Sequence, residues 1–134
     1  MTFDEAKKSI AKEFICKYLE WISDYNNADL TDVEYGRKYG WIRSEKTETQ
    51  KDTQSNLIWF QDHIYSGKYI GGWEREGYEK STIYGLHQMG FLSYQYYSSY
   101  QAKQTGRSDF YYINQIKAKE IYKAYKNGFF GEIK

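Results

Sequence analysis

The fold of this 134-residue chain is decided by the stretch Ile83-Tyr84-Gly85-Leu86-His87-Gln88-Met89-Gly90-Phe91-Leu92. Its apolar side chains at Ile83, Leu86 and Met89 are three residues apart, which is the spacing of one face of a helix. A glycine follows Met89, and glycine commonly ends a helix because it adopts the left-handed conformation without strain. The pattern therefore predicts a helix over residues 79–89 that packs this face against the rest of the protein.

The residues after this helix predict a β-hairpin and a closing helix. Residues 93–100 are rich in tyrosine and contain no glycine or proline, a composition typical of a strand. Residues 105–109 predict a polar turn, and residues 110–113 predict the returning strand. Asn114 can then cap a final helix, because its side-chain oxygen can accept a hydrogen bond from the first turn. That helix carries the apolar side chains Ile116, Ala118, Ile121, Tyr122 and Tyr125.

Helical patterns also fill most of the first half of the chain. Residues 2–25 predict a long amphipathic helix, since apolar side chains recur there at steps of three and four. Thr31 and Glu34 have the spacing of a capping box and predict a second, short helix. Residues 44–56 contain no large apolar side chain, so they are either a linker or the exposed start of a third helix, whose apolar spacing begins at residue 57. The first stripe comprises Phe3, Ala6, Ile10, Phe14, Tyr18, Trp21 and Tyr25.

This order of elements resembles a winged helix-turn-helix. Residues 83–92 look like the end of a recognition helix, in which a leucine, a glycine and an apolar pair lead into the wing. Residues 105–109 resemble a wing tip, and residues 111–114 resemble the last wing strand passing into the closing helix. In layout the chain is similar to MarR-type regulators, and the resemblance covers about residues 68–130. It implies that the first helix of the helix-turn-helix lies near residues 69–76.

We therefore expect a mainly α protein with a small antiparallel β-hairpin, an α+β fold with a long N-terminal helix. The length of the chain fits one domain over residues 1–134. Within it, residues 1–66 would be an N-terminal helical part and residues 67–134 the winged-helix part. The MarR-like layout also implies a homodimer formed through the N-terminal and C-terminal helices.

The formal net charge of +1 hides an asymmetry along the chain. Residues 1–66 carry 9 basic and 12 acidic side chains, whereas residues 67–134 carry 10 basic and 6 acidic ones. An excess of positive charge on the part that resembles a DNA-binding unit favours nucleic acid as a partner. The near-neutral total argues against a polyanionic mimic of DNA.

The resemblance implies a set of DNA contacts on the recognition helix and the wing. If its apolar face points inward, Ser81, Tyr84 and Gln88 face outward, where they can reach base edges in a major groove. Basic side chains would contact phosphate or enter a minor groove. The alternative is an ordinary solvent-exposed helix and hairpin. The candidate DNA-binding residues are Lys80, Ser81, Tyr84, Gln88, Lys103 and Arg107.

The tyrosine-rich strand is a second candidate site. Side chains alternate faces along a strand, so Tyr94, Tyr96 and Tyr100 are expected on one face and Tyr97 on the other. A two-stranded wing cannot bury both faces, and exposed tyrosines are typical of protein interfaces or of platforms that stack on single-stranded bases. The alternative is that these tyrosines only form cross-strand pairs that stabilise the hairpin.

Catalysis, metal binding and membrane insertion are not expected. His63 and His87 are the only histidines and lie in no metal-binding spacing, and neither a nucleophile elbow nor a phosphate loop is present. Cys16 is the only cysteine, so neither an intrachain disulfide nor a cysteine metal cluster can form. The chain shows no transmembrane run and no signal-peptide pattern. We therefore expect no catalytic residue, no metal, no cofactor, no membrane partner and a cytoplasmic location.

Two functions follow as expectations. The first is a small winged-helix protein that binds double-stranded DNA and regulates transcription, with a palindromic site if it is a dimer. The second is a phage or mobile-element inhibitor of a host protein complex, such as an anti-CRISPR protein, that uses the winged helix as a scaffold and the tyrosines as its interface. The small number of cations on the recognition helix favours the second.

Overall fold

The computed structural model describes residues 1–44, 48–65 and 67–131, and its helices and strands confirm the mainly α class with one small antiparallel sheet. Buried side chains from residues 1–66 and from residues 67–134 belong to one apolar cluster. In chain order the elements are α1 (Phe3–Asn26), α2 (Asp32–Tyr39), α3 (Gln54–His63), α4 (Ile70–Arg75), α5 (Lys80–Gln88), β1 (Ser93–Gln95), α6 (Ser99–Thr105), β2 (Phe110–Tyr112) and α7 (Gln115–Lys126).

The long first helix confirms the sequence prediction to within a residue. Thr2 and Glu5 form a complete capping box at its start. All members of the predicted stripe are buried except Phe3, which is 44% exposed. The Phe3 ring instead covers Gly85 of α5, where a Cβ atom would lie 2.6 Å from the ring edge. Contacts of this kind place α5 directly on α1.

The centre of the core is aromatic and joins α1 to α3. The Phe60 ring lies 5.6 Å from Trp21 and 5.8 Å from both Phe14 and Tyr18, measured between centroids. Each of these side chains is at most 2% exposed. Full burial of a large apolar side chain contributes about 1.5–3 kcal/mol, so this cluster is a main source of stability.

The polar stretch before α3 is tied to α1 rather than extended from it. The Tyr18 hydroxyl donates to the Thr53 carbonyl over 2.8 Å and accepts from the Thr53 N–H over 3.0 Å. Asn26 makes a similar two-bond contact with the backbone of Gln50. Residues 44–56 were expected to be either a linker or the exposed start of a helix. Residues 54–56 form the start of α3. Residues 45–47 lie outside the described residues.

A buried arginine holds the connections on either side of α2, and the sequence patterns did not reveal it. Arg43 is 6% exposed and donates to the carbonyls of Asn27, at 2.9 Å, and of Leu30. It also pairs with the Asp32 carboxylate at 3.0 Å. Arginine suits this role because its guanidinium carries five donors in a fixed plane.

The predicted strand over residues 93–100 is correct only as far as Gln95. The chain then forms α6, which begins with a capping box between Ser98 and Gln101. Gly106 ends α6 in the left-handed conformation, with φ of 68°. The strand propensity of the tyrosines is a weak preference, whereas a capping box satisfies two backbone donors of the first turn. The two strands are therefore joined by a helix rather than by a simple turn.

An isolated β-bridge adds a third chain segment to the sheet. The N–H of Lys68 donates to the Tyr111 carbonyl over 3.0 Å, and the Tyr111 N–H donates back over 2.9 Å. Because β2 also pairs with β1, β2 lies between the Lys68 segment and β1. The segment just before α4 is thus bonded to the strand that precedes α7.

The prediction that Met89 packs against the rest of the protein was wrong, because its side chain is 47% exposed. Helix α5 ends at Gln88, so Met89 is its C-cap and no longer follows the helical periodicity. Leu92, which is 1% exposed, is buried after the turn instead.

Candidate nucleic-acid interface

Helices α4 and α5 are joined by a four-residue turn, residues 76–79, with Gly77 at φ of 97°. Helix-turn-helix units have turns of three to four residues that often contain glycine. The predicted first helix near residues 69–76 is present as α4 and is six residues long. It contains Gly72, where a Cβ atom would lie 3.3 Å from the Cβ of Lys68. The close approach gives this helix-breaking residue a packing role.

Buried and polar contacts fix this unit on α1. The Lys68 ammonium lies 2.6 Å from the Glu13 carboxylate and 2.5 Å from that of Glu76, and 4.6 Å above the Trp73 ring. Burial alone would raise the pKa of Glu13, but the hydrogen bond and positive charge of Lys68 hold it below its usual value. The Tyr78 hydroxyl adds a 2.8 Å hydrogen bond to Ser9 of α1. The turn is therefore anchored through Glu76 and Tyr78.

All four candidate residues on α5 are exposed, as predicted. Lys80 lies 4.0 Å from Glu74, a solvent-exposed pair that contributes little to stability. Tyr84 leans toward the sheet, with its ring centroid 6.0 Å from that of Tyr111. Its side chain is nevertheless 44% exposed.

An aromatic cluster connects α5 to the sheet. Tyr94 and Tyr111 are directly opposite on the two strands, with ring centroids 4.8 Å apart. His87 lies 5.9 Å from Tyr94 and 5.7 Å from Tyr111. For Tyr94, the cross-strand pair anticipated as the alternative is what the structure contains. No sequence pattern connects His87 or Tyr111 with this pair, since their proximity depends on the crossing of α5 over the sheet.

A carboxylate outside the set of candidate residues organises the start of the segment between the strands. Asp109 accepts hydrogen bonds from the Tyr94 hydroxyl and, over 2.7 Å, from the Tyr97 N–H. The bond to the carboxylate raises the pKa of Tyr94 to about 12. The same two donors lower the pKa of Asp109. Asp109 thus links β1 to the chain just before β2.

The predicted grouping of three tyrosines on one strand face was wrong, because Tyr100 lies on α6. Tyr96 and Tyr100 are nevertheless 62% and 72% exposed. Lys103 is exposed on α6. Arg107 lines a cleft of about 380 Å³ beside the start of α4. Both cations are therefore on the surface, but Lys103 lies on α6 whereas Arg107 lies at the cleft beside the start of α4.

The positive charge of the second half is not concentrated at this surface. Residues 69–112 contain four basic and four acidic side chains. Helix α7 contains four lysines and one glutamate. The excess of positive charge in residues 67–134 is therefore carried mainly by α7. This helix packs against α1 and α3 and is not part of the α4–α5 unit.

Within the described residues, no helix has the length and apolarity needed to cross a bilayer. The same residues contain no group of three or more His, Cys, Asp or Glu side chains that could hold a metal ion. Comparisons of the chain with protein-family models, with curated proteins and with solved structures found no match.

Proposed function

We propose that the chain is a winged helix-turn-helix protein that binds double-stranded DNA and acts as a transcriptional regulator. The observation that carries this proposal is the α4–turn–α5 unit next to a two-stranded antiparallel sheet, with the polar side of α5 exposed. An α-helix fits the major groove of B-DNA, where its polar side chains meet base edges.

The exposed side chains of α5 define different roles in this complex. Gln88 can bind adenine through two hydrogen bonds, and Ser81 can donate to or accept from either base of a pair. Lys80 at the start of the helix is suited to phosphate. Tyr84 would contact the edge of the groove, because it leans on Tyr111. Arg107 and Lys103 would contact the backbone from the segment between the strands.

The small number of cations sets a limit on the electrostatic part of binding. Each neutralised phosphate contributes about −0.9 to the slope of log K against log salt concentration. The basic side chains of residues 69–112 number four, so the slope should be no steeper than about −4 per protomer.

The binding of a labelled random-sequence duplex at about 50 mM salt tests the proposal, since nonspecific phosphate contacts are strong under those conditions. We expect saturable binding, and a loss of about one unit of salt slope in Arg107→Ala. Arg37→Ala, an exposed cation on α2, is the matched control and should leave the slope unchanged. The absence of binding at low salt would rule the proposal out.

The regulator is proposed to be a homodimer. An apolar groove of about 330 Å³ lies between α1 and α7, the two helices expected to meet across the two-fold axis. Its rim carries both signs of charge, with Asp4, Lys7, Lys8 and Glu120. Two copies related by a two-fold axis can place the lysines of one rim against the carboxylates of the other.

The second candidate is a phage or mobile-element inhibitor, of the anti-CRISPR kind, that binds a host protein complex. It is favoured by the charge balance of residues 69–112 and by the exposure of Tyr96 and Tyr100, because interface centres are poor in charge and rich in tyrosine. Inhibition of target cleavage by a CRISPR effector, abolished in a Tyr96→Ala, Tyr100→Ala double variant, would support it. Unimpaired cleavage across effector types would contradict it.

A further inference from the structure

An aromatic cavity of about 500 Å³ lies between α1, α3 and the segment after α2. Small-molecule sites typically have volumes of about 300–1,000 Å³ and are lined by aromatic side chains with a few polar groups. Three of the four tryptophans of the chain, Trp21, Trp41 and Trp59, line this cavity. It is separate from the α4–α5 surface, which contributes no lining residue.

The tryptophans form a wall that runs from the core to the surface. The Trp59 ring stacks on Trp21, with centroids 5.5 Å apart and planes 19° apart. Trp41 meets Trp59 edge to face, with centroids 5.7 Å apart. Trp21 is 1% exposed, whereas Trp41 and Trp59 are 44% and 39% exposed. The His63 ring also stacks on Trp59, with centroids 4.6 Å apart, so the mouth of the cavity offers the Trp41 ring and the remaining surface of Trp59 to a ligand.

The floor of the cavity is held in place by contacts within the protein. The Trp21 indole N–H donates to the Tyr35 hydroxyl over 2.7 Å. The guanidinium of Arg43 lies 5.5 Å from the centroid of the Tyr35 ring, and carbonyl oxygens and Asp32 accept its hydrogen bonds. A floor fixed in this way reduces the ordering cost of binding.

The polar part of the lining is uncharged. Ser44, Gln50, Ser55 and Asn56 supply hydroxyl and amide groups, and no charged side chain lines the cavity among the described residues. Among the described lining residues a charged ligand would find no ionic partner to compensate for its lost hydration, and such a loss is costly. Hydroxyl and amide groups can instead satisfy one or two polar atoms of a neutral ligand.

We propose that this cavity binds an uncharged, flat aromatic small molecule, with its ring against Trp41 and Trp59 and a polar edge toward Ser44, Ser55 or Asn56. Aromatic rings favour offset-stacked and edge-to-face contacts with indoles. The inference does not depend on the DNA-binding proposal.

The indole N–H signals of the ¹⁵N-labelled full chain provide the test. Trp73 is fully buried, does not line the cavity, and serves as an internal reference. With indole as the probe, we expect saturable shifts of the Trp21, Trp41 and Trp59 signals, with a dissociation constant of about 1 mM or below. Indole-3-acetate, which is charged, should bind at least about ten-fold more weakly, and N-acetylglucosamine should cause no saturable shift.

Matched variants connect binding to the cavity. Ser55→Leu fills the cavity from an exposed position on α3 and should abolish the shifts, whereas Ser23→Leu, on the exposed side of α1, should not. Trp41→Ala should weaken indole binding at least about ten-fold while leaving the Trp73 signal in place. Non-saturable shifts with indole, equal shifts at Trp73, preference for the acid or the sugar, or unchanged binding in Ser55→Leu would each overturn the proposal.

Discussion

Gly67 and Gly71 show how backbone geometry determines whether a glycine can be replaced by alanine. Gly67 has φ of 105°, and a Cβ atom there would lie 2.6 Å from the Tyr111 carbonyl oxygen. Gly71 has no atom within 4 Å of its Cβ position and lies inside α4. We expect Gly67→Ala to destabilise the protein by about 2 kcal/mol or more. Gly71→Ala should be neutral or stabilising by up to about 1 kcal/mol. Urea unfolding of both variants would show this, and equal stabilities would contradict it.

The Tyr94–Asp109 pair makes a prediction about pH. In the folded protein Tyr94 should titrate at about 12, and Asp109→Asn should bring its pKa back toward the ordinary value of about 10. Because the pKa of Tyr94 is raised, its stabilising effect is complete below about pH 10 and is lost as pH rises through 12. Because the pKa of Asp109 is lowered, its effect is present above about pH 4 and is lost on acidification. A ring-signal titration placing Tyr94 near 10 in the unaltered protein would refute the pairing.

Single-residue expectations succeeded where they depended on local periodicity and failed where contacts cross elements. The exposure of Ser81 and Gln88 follows from the helical position of Ile83. The role of Arg43 could not be predicted from the sequence, because its acceptors other than Asp32 are backbone carbonyl groups 13 to 19 residues away along the chain. No side-chain pattern encodes a backbone acceptor of that kind.

At the scale of elements, capping chemistry determines the segment between the strands. Ser98 accepts from the Gln101 N–H and Gln101 accepts from the Ser98 N–H. Ser98→Ala should cost about 1 kcal/mol of local stability and speed amide exchange in α6. Ser99→Ala, at the exposed position that follows, should have little effect. Equal exchange in the two variants would show that the cap does not hold α6.

Helices α1, α2 and α7 could be predicted because each carries a start signal that agrees with its apolar spacing. Thr2, Thr31 and Asn114 accept the hydrogen bonds expected of N-caps. Ser98 and Gln101 have the same capping-box spacing, which the prediction of a strand over residues 93–100 did not take into account. The β-bridge at Lys68 could not be foreseen, since one paired residue leaves no period in the sequence.

At the scale of the whole molecule, the apolar groove that remains exposed after folding makes a prediction about self-association. Phe129 is 60% exposed and lines the groove between α1 and α7. If a second copy covers this groove, Phe129→Ser should convert a dimer into a monomer. Ile116, which is 70% exposed and does not line the groove, provides the matched variant Ile116→Ser, which should remain dimeric. Sedimentation velocity at several protein concentrations measures both, because self-association depends on concentration.

The proposed dimer would also connect the groove to the proposed DNA site. Two recognition helices related by a two-fold axis bind half-sites about 34–36 Å apart, one turn of DNA. A monomeric Phe129→Ser variant should therefore retain contact with one half-site and lose the cooperative gain from the second. Binding to a palindromic duplex should fall much more than binding to an isolated half-site, and Ile116→Ser should affect neither. If Phe129→Ser became monomeric yet bound both duplexes as tightly as the unaltered protein, the groove would have no role in recognising DNA. A monomeric unaltered chain at about 100 μM would instead remove the dimer itself.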